Sequence, residues 1–257
     1  MSAPLPPWPY PFWIAHRGAG KLAPENTLAA FRLGAAHGYR MAECDAKLSR
    51  DGVVFLLHDA TLSRSTNGAR ALPPGASATA GDHDWATLSR LDAGSWHSRA
   101  YAGEPLPTLE ALARWCLANG VMLDIEIKPT PGLESETGRA VAELAARLWR
   151  GTDQPPPLLT SFAPQALQAA REAVPRLPRG LLLDALTADW PTTARALDCV
   201  AVICNHALWD AALVAQVHGM GMRCLSYTVN DECFAQRLIA LGTDGIVTDR
   251  VDLFVPG

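Results

Sequence analysis

Short, nearly continuous apolar runs punctuate this chain: Trp13 to Ala15, Met41 to Leu48, Val53 to Leu57, Val121 to Ile127, Leu158 to Phe162, Gly180 to Leu183, Val200 to Cys204, Cys224 to Val229 and Gly245 to Thr248. Runs of this length without strict polar alternation fit strands buried on both faces, as in a parallel sheet covered by helices. Between most of them apolar residues recur at helical spacing, which predicts helices over 27–37, 109–119, 134–149, 164–174, 209–218 and 231–241. Gly38, Gly120 and Gly242 fall where helix C-caps belong.

Alternation of strand and helix implies parallel strands joined by right-handed crossovers, and eight such strands close a TIM (β/α)8 barrel. The ninth run is accounted for by a hairpin. Only Ser49-Arg50-Asp51-Gly52 separates the second and third runs, and Asp-Gly is a strong hairpin signal. The third run therefore pairs antiparallel with the second, as an extra strand beside the barrel. A turn over 49–52 pairs residues whose numbers sum to about 101, which sets His58 opposite Glu43. Residues 60–107 read as an insertion, with turn signals at Asn67-Gly68, Pro73-Pro74-Gly75 and Gly94-Ser95 and with Trp85, Trp96 and Tyr101 among them. A segment of that length is expected to carry short helices and to cover one end of the barrel.

Composition narrows the class. With 257 residues, 49% of them hydrophobic and 19% charged, one domain spanning 1–257 can bury a full core. The net charge of -4 comes without a run of like charges, so neither nucleic acid nor an anionic membrane is an expected partner. Any bound anion must be held locally. Met1 to Phe12 is Pro-rich and lacks a basic n-region before an apolar stretch, so no secretory signal is expected. No apolar stretch approaches the ~18 residues of a membrane span. Cys44, Cys116, Cys199, Cys204, Cys224 and Cys233 lie in apolar contexts without C-x-x-C spacing, which predicts buried free thiols in a reducing cytoplasm.

The chemistry lies at the strand ends. His16-Arg17-Gly18, Glu43-x-Asp45, His58-Asp59 and Glu126-x-Lys128 each close or interrupt an apolar run, where a barrel of parallel strands displays its catalytic groups. Glu43 and Asp45, two apart on a strand, share a face and repel unless a cation intervenes, while Cys44 faces the helix layer. Alone, this pair reads equally well as a salt-bridged strand end, and Glu126-x-Lys128 as a local ion pair. Together, inside apolar runs, they call for a partner or an ion. Three carboxylate ligands, Glu43, Asp45 and Glu126, suit Mg²⁺ or Ca²⁺ better than zinc. His16 and His58 at one mouth can divide proton transfer between nucleophile and leaving oxygen. Three carboxylates, a divalent cation, Arg17 and Lys128 leave one positive charge, which a phosphodiester monoanion balances. Gly18 lets the backbone approach a ligand closely. Asn26 is expected to N-cap the first helix, Glu25 to orient His16 or Arg17, and Phe162, Tyr227, Trp85 and Trp96 are candidates for an apolar wall.

Taken in order, His16-Arg17-Gly18, Pro24-Glu25-Asn26-Thr27, Glu43-x-Asp45, Asp51-Gly52, His58-Asp59, Leu62-x-Arg64-x-Thr66, Pro107-Thr108-Leu109, Glu126-x-Lys128, Ser161-Phe162, Tyr227-Thr228-Val229-Asn230 and Asp244-Gly245-Ile246-Val247-Thr248-Asp249 resemble the glycerophosphodiester phosphodiesterase family. The resemblance covers nearly the whole chain. It implies a TIM barrel hydrolysing glycerophosphodiesters, a small-molecule substrate class, to sn-glycerol 3-phosphate and an alcohol with a divalent cation. Carried onto matching positions, it implies His16 and His58 as the acid/base pair, Glu43, Asp45 and Glu126 as metal ligands, and Arg17 and Lys128 as a phosphate clamp. Tyr227 stands where the family often has Trp, which puts head-group preference in question. A phospholipase D-like activity on lysophospholipids and a catalytically inactive binding barrel are the alternatives.

Overall fold

The computed structural model describes residue 5 and residues 7–256. Parts of the Pro-rich arm, residues 1–4 and 6, lie outside the described residues. Nine strands are present among those described: β1 (Trp13–Ala15), β2 (Met41–Leu48), β3 (Val54–Leu56), β4 (Met122–Ile127), β5 (Leu158–Ser161), β6 (Arg179–Leu183), β7 (Ala201–Asn205), β8 (Arg223–Tyr227) and β9 (Gly245–Thr248). Eight of them pair in parallel and close a ring in which β1 meets both β2 and β9, with β3 outside it. This is the TIM barrel with an extra antiparallel strand.

The helices are α1 (Leu28–Ala36), α2 (Gly68–Ala71), α3 (Trp85–Leu88), α4 (Leu109–Asn119), α5 (Glu134–Leu148), α6 (Pro164–Ala173), α7 (Trp190–Ala196), α8 (Ala211–Gly219) and α9 (Glu232–Leu241). Short polar side chains start several of them, with Thr27, Thr108, Asp210 and Asp231 each accepting from a first-turn N–H. Gly120 and Gly242 cap α4 and α9 in the left-handed conformation, while Gly38 follows the α1 cap residue His37. Helix α7 escapes the sequence pattern because it is seven residues long and opens on Trp190-Pro191. Proline in the first turn is compatible with a helix start, not only with a break.

Two apolar layers result. Ala42, Cys44 and Ala46 point outward against Leu112, Cys116 and Val141 of the helices. Inside, Ile14, Met41, Leu158, Leu182, Ile203, Leu225 and Val247 form an apolar floor, closed at the N-terminal end by Tyr10, whose hydroxyl donates to the Pro156 carbonyl at 2.8 Å. Glu43, Asp45 and Lys47 alternate with the outward residues of β2 and so stand above that floor, toward the C-terminal mouth.

Three expectations need correction. The hairpin pairs Ala46 with Leu56, Lys47 with Phe55 and Leu48 with Val54, one residue away from the expected register. Its loop has three residues, Arg50-Asp51-Gly52, closed by Ser49 N–H donating to Val53 O at 2.9 Å, and Gly52 sits at φ +82°. Continued past Leu57, whose N–H donates to Asp45 O at 3.0 Å, this register sets His58 level with Cys44 rather than Glu43. Second, α1 is capped by Thr27 and not by Asn26, which is held at φ +59° with another task. Third, Cys233 is exposed near the start of α9, whereas the other five cysteines are buried thiols as expected.

Residues 60–107 form the insertion, carrying α2, α3 and two short 3-10 turns around a small core of its own in which Leu62, Ala80, Leu88, Leu91, Ala93 and Leu106 meet Phe55 and Leu57. It contacts the barrel mouth through Glu104, which accepts from Ala29 N–H at 3.0 Å, and His97, whose Nε2 lies 3.0 Å from the Lys21 carbonyl. No helix among the described residues is long and apolar enough to cross a membrane.

Candidate active site

The strand ends converge as the sequence implies, on a cavity of about 220 Å³ lined by His16, Arg17, Glu43, His58, Glu126, Lys128, Phe162 and Tyr227. Asp45, fully buried, sits beneath Arg17 and Lys128. The β2–β4 register sets Glu43 beside Asp124 and Asp45 beside Glu126, so the carboxylates of the two strands form one layer. Glu43, Asp45 and Glu126 offer ligand oxygens all within 4.8 Å of one another.

Two cations offset that layer only in part. Arg17 Nε lies 3.2 Å from Asp45 Oδ2, and Lys128 Nζ lies 3.4 Å from Asp45 Oδ1 and 2.9 Å from Glu126 Oε1. Burial opposes charge on Asp45, but Arg17 and Lys128 beside it hold its carboxyl well below the usual range. Glu43 goes the other way: burial, then the charges of Asp45 and Glu126, push it well above the ordinary value. Glu126 is pushed up to about 7 by burial and by Asp45, even with Lys128 adjacent. Glu43 Oε1 is buried with no hydrogen-bond partner among the described residues. An acidic layer short of positive charge, with an orphaned buried oxygen and all-oxygen donors, fits a hard divalent cation.

Both histidines are held by the same device. His16 Nδ1 lies 2.6 Å from Asp249 Oδ1, and His58 Nδ1 lies 2.8 Å from Asp59 Oδ1. Pairing with a carboxylate fixes the Nδ1–H tautomer and leaves Nε2 as the nitrogen free for chemistry. His16 Nε2 stands 3.9 Å from Glu43 Oε2. Burial draws the His58 pKa below its ordinary value, with Arg17 and Lys128 acting in the same direction and Asp45 against them.

Several of the groups that build this geometry carry no role at the site in the sequence reading. Asp249 is itself fixed by Asn230, which donates from Nδ2 at 2.8 Å and accepts the Asp249 N–H at 2.9 Å. Asn26 grips Asp45 at both ends, donating to Oδ2 at 2.7 Å and accepting its N–H at 3.0 Å. Asp124 lines the cavity floor with Thr160, whose hydroxyl donates to it at 2.7 Å; burial raises its carboxyl to about 7. The same two-residue spacing that links Glu126 to Lys128 extends to Asp124. Asp249 follows a strand end just as His16 and Lys128 do.

Glu25 accepts from Arg17 Nη1 at 2.9 Å, so of the two partners expected for it the structure selects Arg17. At Gly18 a Cβ would strike Phe31 N at 2.7 Å and Ala30 C at 2.8 Å, so this glycine lets α1 pack closely against the loop after β1. Gly20 does the equivalent for the site, since a Cβ would fall 2.2 Å from Asp249 Cα. Of the proposed wall, Phe162 and Tyr227 line the cavity, edge to face with centroids 5.7 Å apart. Trp85 packs on Phe55 within the insertion and Trp96 lies beneath Arg64, neither lining the cavity. A separate group, His218, Cys224 and Asp244, is a hydrogen-bonded clasp in which Asp244 receives His218 Nε2, Cys224 N–H and Arg223 Nη1, each at 2.8 Å.

Residues 16–253 match the model of the glycerophosphoryl diester phosphodiesterase family. The chain belongs to that family. It is 31% identical over 248 residues to the Bacillus subtilis protein YhdW, covering 94% of this chain and 96% of that one. A glycerophosphodiester phosphodiesterase of Caldanaerobacter subterraneus is 29% identical over 250 residues, covering 94% and 95%. Among solved structures, an Oleispira antarctica phosphodiesterase in complex with the product sn-glycerol-3-phosphate superposes with a TM-score of 0.85 at 34% identity, over 93% of each chain.

Proposed function

We propose that this family member is a single-domain, metal-dependent glycerophosphodiesterase that cleaves glycerophosphodiesters of the choline, ethanolamine or glycerol type into sn-glycerol 3-phosphate and an alcohol. The observation that carries the reading is the pair of aspartate-held histidines lining one cavity with a three-carboxylate cluster. A relative solved with sn-glycerol-3-phosphate supports the product. Buried unpaired thiols support a reducing, cytoplasmic setting.

Glu43, Asp45 and Glu126 would hold Mg²⁺ or Ca²⁺, which supplies Lewis-acid polarisation of the phosphoryl oxygens when bound. Arg17 and Lys128 border the same cluster, and each carries N–H donors for a non-bridging oxygen as charge builds in the transition state. The two Nε2 atoms divide the protons, one histidine accepting from the nucleophile and the other donating to the departing alkoxide. Phe162 and Tyr227 give the carbon skeleton an apolar wall.

The test is release of glycerol 3-phosphate from a glycerophosphodiester panel, with and without EDTA. Activity lost with chelator, restored by Mg²⁺ or Ca²⁺, and reduced about 10²-fold or more in His16→Ala and His58→Ala is expected. Activity that survives both substitutions overturns the histidine roles, and faster turnover of lysophosphatidylcholine than of glycerophosphocholine overturns the substrate class.

A further inference from the structure

Arg64 belongs to the insertion, yet its guanidinium joins the two walls of the cavity. Nη1 and Nη2 donate to Glu25 Oε2 and Oε1 at 2.8 and 2.6 Å, while Nε and Nη2 donate to Asp59 Oδ2 and Oδ1 at 2.6 and 3.0 Å. Both carboxylates are already committed to the site. Glu25 Oε1 accepts from Arg17 Nη1 at 2.9 Å, and Asp59 Oδ1 lies 2.8 Å from His58 Nδ1. One planar fork therefore anchors an arginine that follows β1 and a histidine that follows β3, and the Trp96 ring supports it with its centroid 5.8 Å from Cζ.

The arrangement is poorly explained as a folding device. The Arg64 side chain is 43% exposed, and ion pairs at such sites add little stability. Its geometry instead demands a guanidinium: two carboxylates are each met by two N–H groups, which the single ammonium of lysine cannot reproduce. Arg17 has reason to need an anchor, since it sits at φ +50°, a conformation that side-chain-bearing residues rarely hold unaided.

We propose that Arg64 is a positioning residue for phosphodiester cleavage, holding Arg17 through Glu25 and His58 through Asp59 at a fixed separation, so that the insertion completes the active site. It touches no substrate in this role. The proposal rests on the phosphodiesterase reading above.

The experiment compares wild type, Arg64→Ala and Arg64→Lys for glycerol 3-phosphate release from glycerophosphocholine, alongside spectra of ¹⁵N-labelled histidine assigned with His58→Ala and His16→Ala. Misplacement of catalytic groups by about 1 Å costs about 10²-fold, so kcat/KM is expected to fall about that much in Arg64→Ala. Arg64→Lys, which keeps the charge, is expected to lose at least about 10-fold. His58 ring signals should shift in both variants while those of His16, held by Asp249, stay in place. Millimolar guanidinium should restore part of the Arg64→Ala activity. Should Arg64→Ala fail to fold, Arg64→Lys decides. Variant kcat/KM within about threefold of wild type, or unmoved His58 signals, overturns the proposal. A wild type that releases no glycerol 3-phosphate overturns the functional reading instead, and the histidine spectra still decide whether Arg64 orients His58.

Discussion

At the scale of single residues, the groups that touch substrate or ion in the proposed reaction were legible, and those that hold them were largely not. His16, Glu43 and Glu126 announce themselves as charges at the ends of apolar runs. Asn26 does not, because an amide beside Thr27 looks like a helix cap, and only the fold brings it to Asp45. Asn26→Ala removes both of its bonds to Asp45 in a closed interior. Leaving such groups unsatisfied costs about 1–3 kcal/mol, and alanine tolerates the φ of +59° at this position less well than asparagine does. Urea denaturation is expected to read the sum, with Asn26→Gly losing less than Asn26→Ala because the backbone contribution vanishes. Equal losses would mean the left-handed conformation is not strained. Asp249→Asn keeps volume but replaces the carboxylate that holds His16 Nδ1. A fall in kcat of about 10²–10⁴-fold with little change in melting temperature is expected; a fall under about threefold would show that His16 needs no orienting carboxylate.

Elements were more legible than their joints. All nine strands follow from buried apolar runs, and the antiparallel placing of β3 from Asp-Gly, but the register slipped by one because Gly52 extends the loop to three residues. Alternation alone does not distinguish a two-residue from a three-residue turn. The insertion was recognisable by its turn residues, while what tightens it is Asp92, which accepts from Gly94, Ser95 and Gly103 N–H and from the Ser95 hydroxyl. Burial opposes ionisation there, but these hydrogen bonds prevail and lower the Asp92 carboxyl to about 2. A folded-state pKa below the unfolded value of about 3.9 means stabilisation present above pH ~4 and lost as pH falls toward ~2. The stability gap between wild type and Asp92→Asn, read from urea midpoints, should therefore be constant from neutral pH to about 5 and close between about 4 and 2. A gap that does not narrow on acidification would rule out the carboxylate as the source.

For the molecule as a whole, the barrel divides into an apolar floor that secures the fold and an acidic layer above it that works against the fold. Glu43 is 5% exposed, lies among Asp45, Asp124 and Glu126, and leaves one oxygen without a protein partner. Unmet by a cation, its charge is a liability. Glu43→Gln keeps an acceptor for the Arg17 N–H, now 3.0 Å from Oε2, and removes the repulsion. In EDTA near neutral pH this variant should melt above wild type, by about 2–4 °C if the relief is about 1 kcal/mol in a chain of this size. A cation that binds only the folded state raises stability by about 2.7 kcal/mol at 100 times its Kd. Wild type, with all three proposed ligands, should gain that and Glu43→Gln much less, so the order of melting temperatures should reverse on adding Mg²⁺ or Ca²⁺. Calorimetry at both conditions reads the crossing. Parallel shifts in the two proteins would mean the cation binds elsewhere, and a variant less stable than wild type even in EDTA would mean that Glu43 is satisfied within the protein alone. The reversal would express at molecular scale what the buried oxygen expresses at residue scale: the acidic layer is short of positive charge that a cation would supply, while the apolar floor beneath it secures the fold.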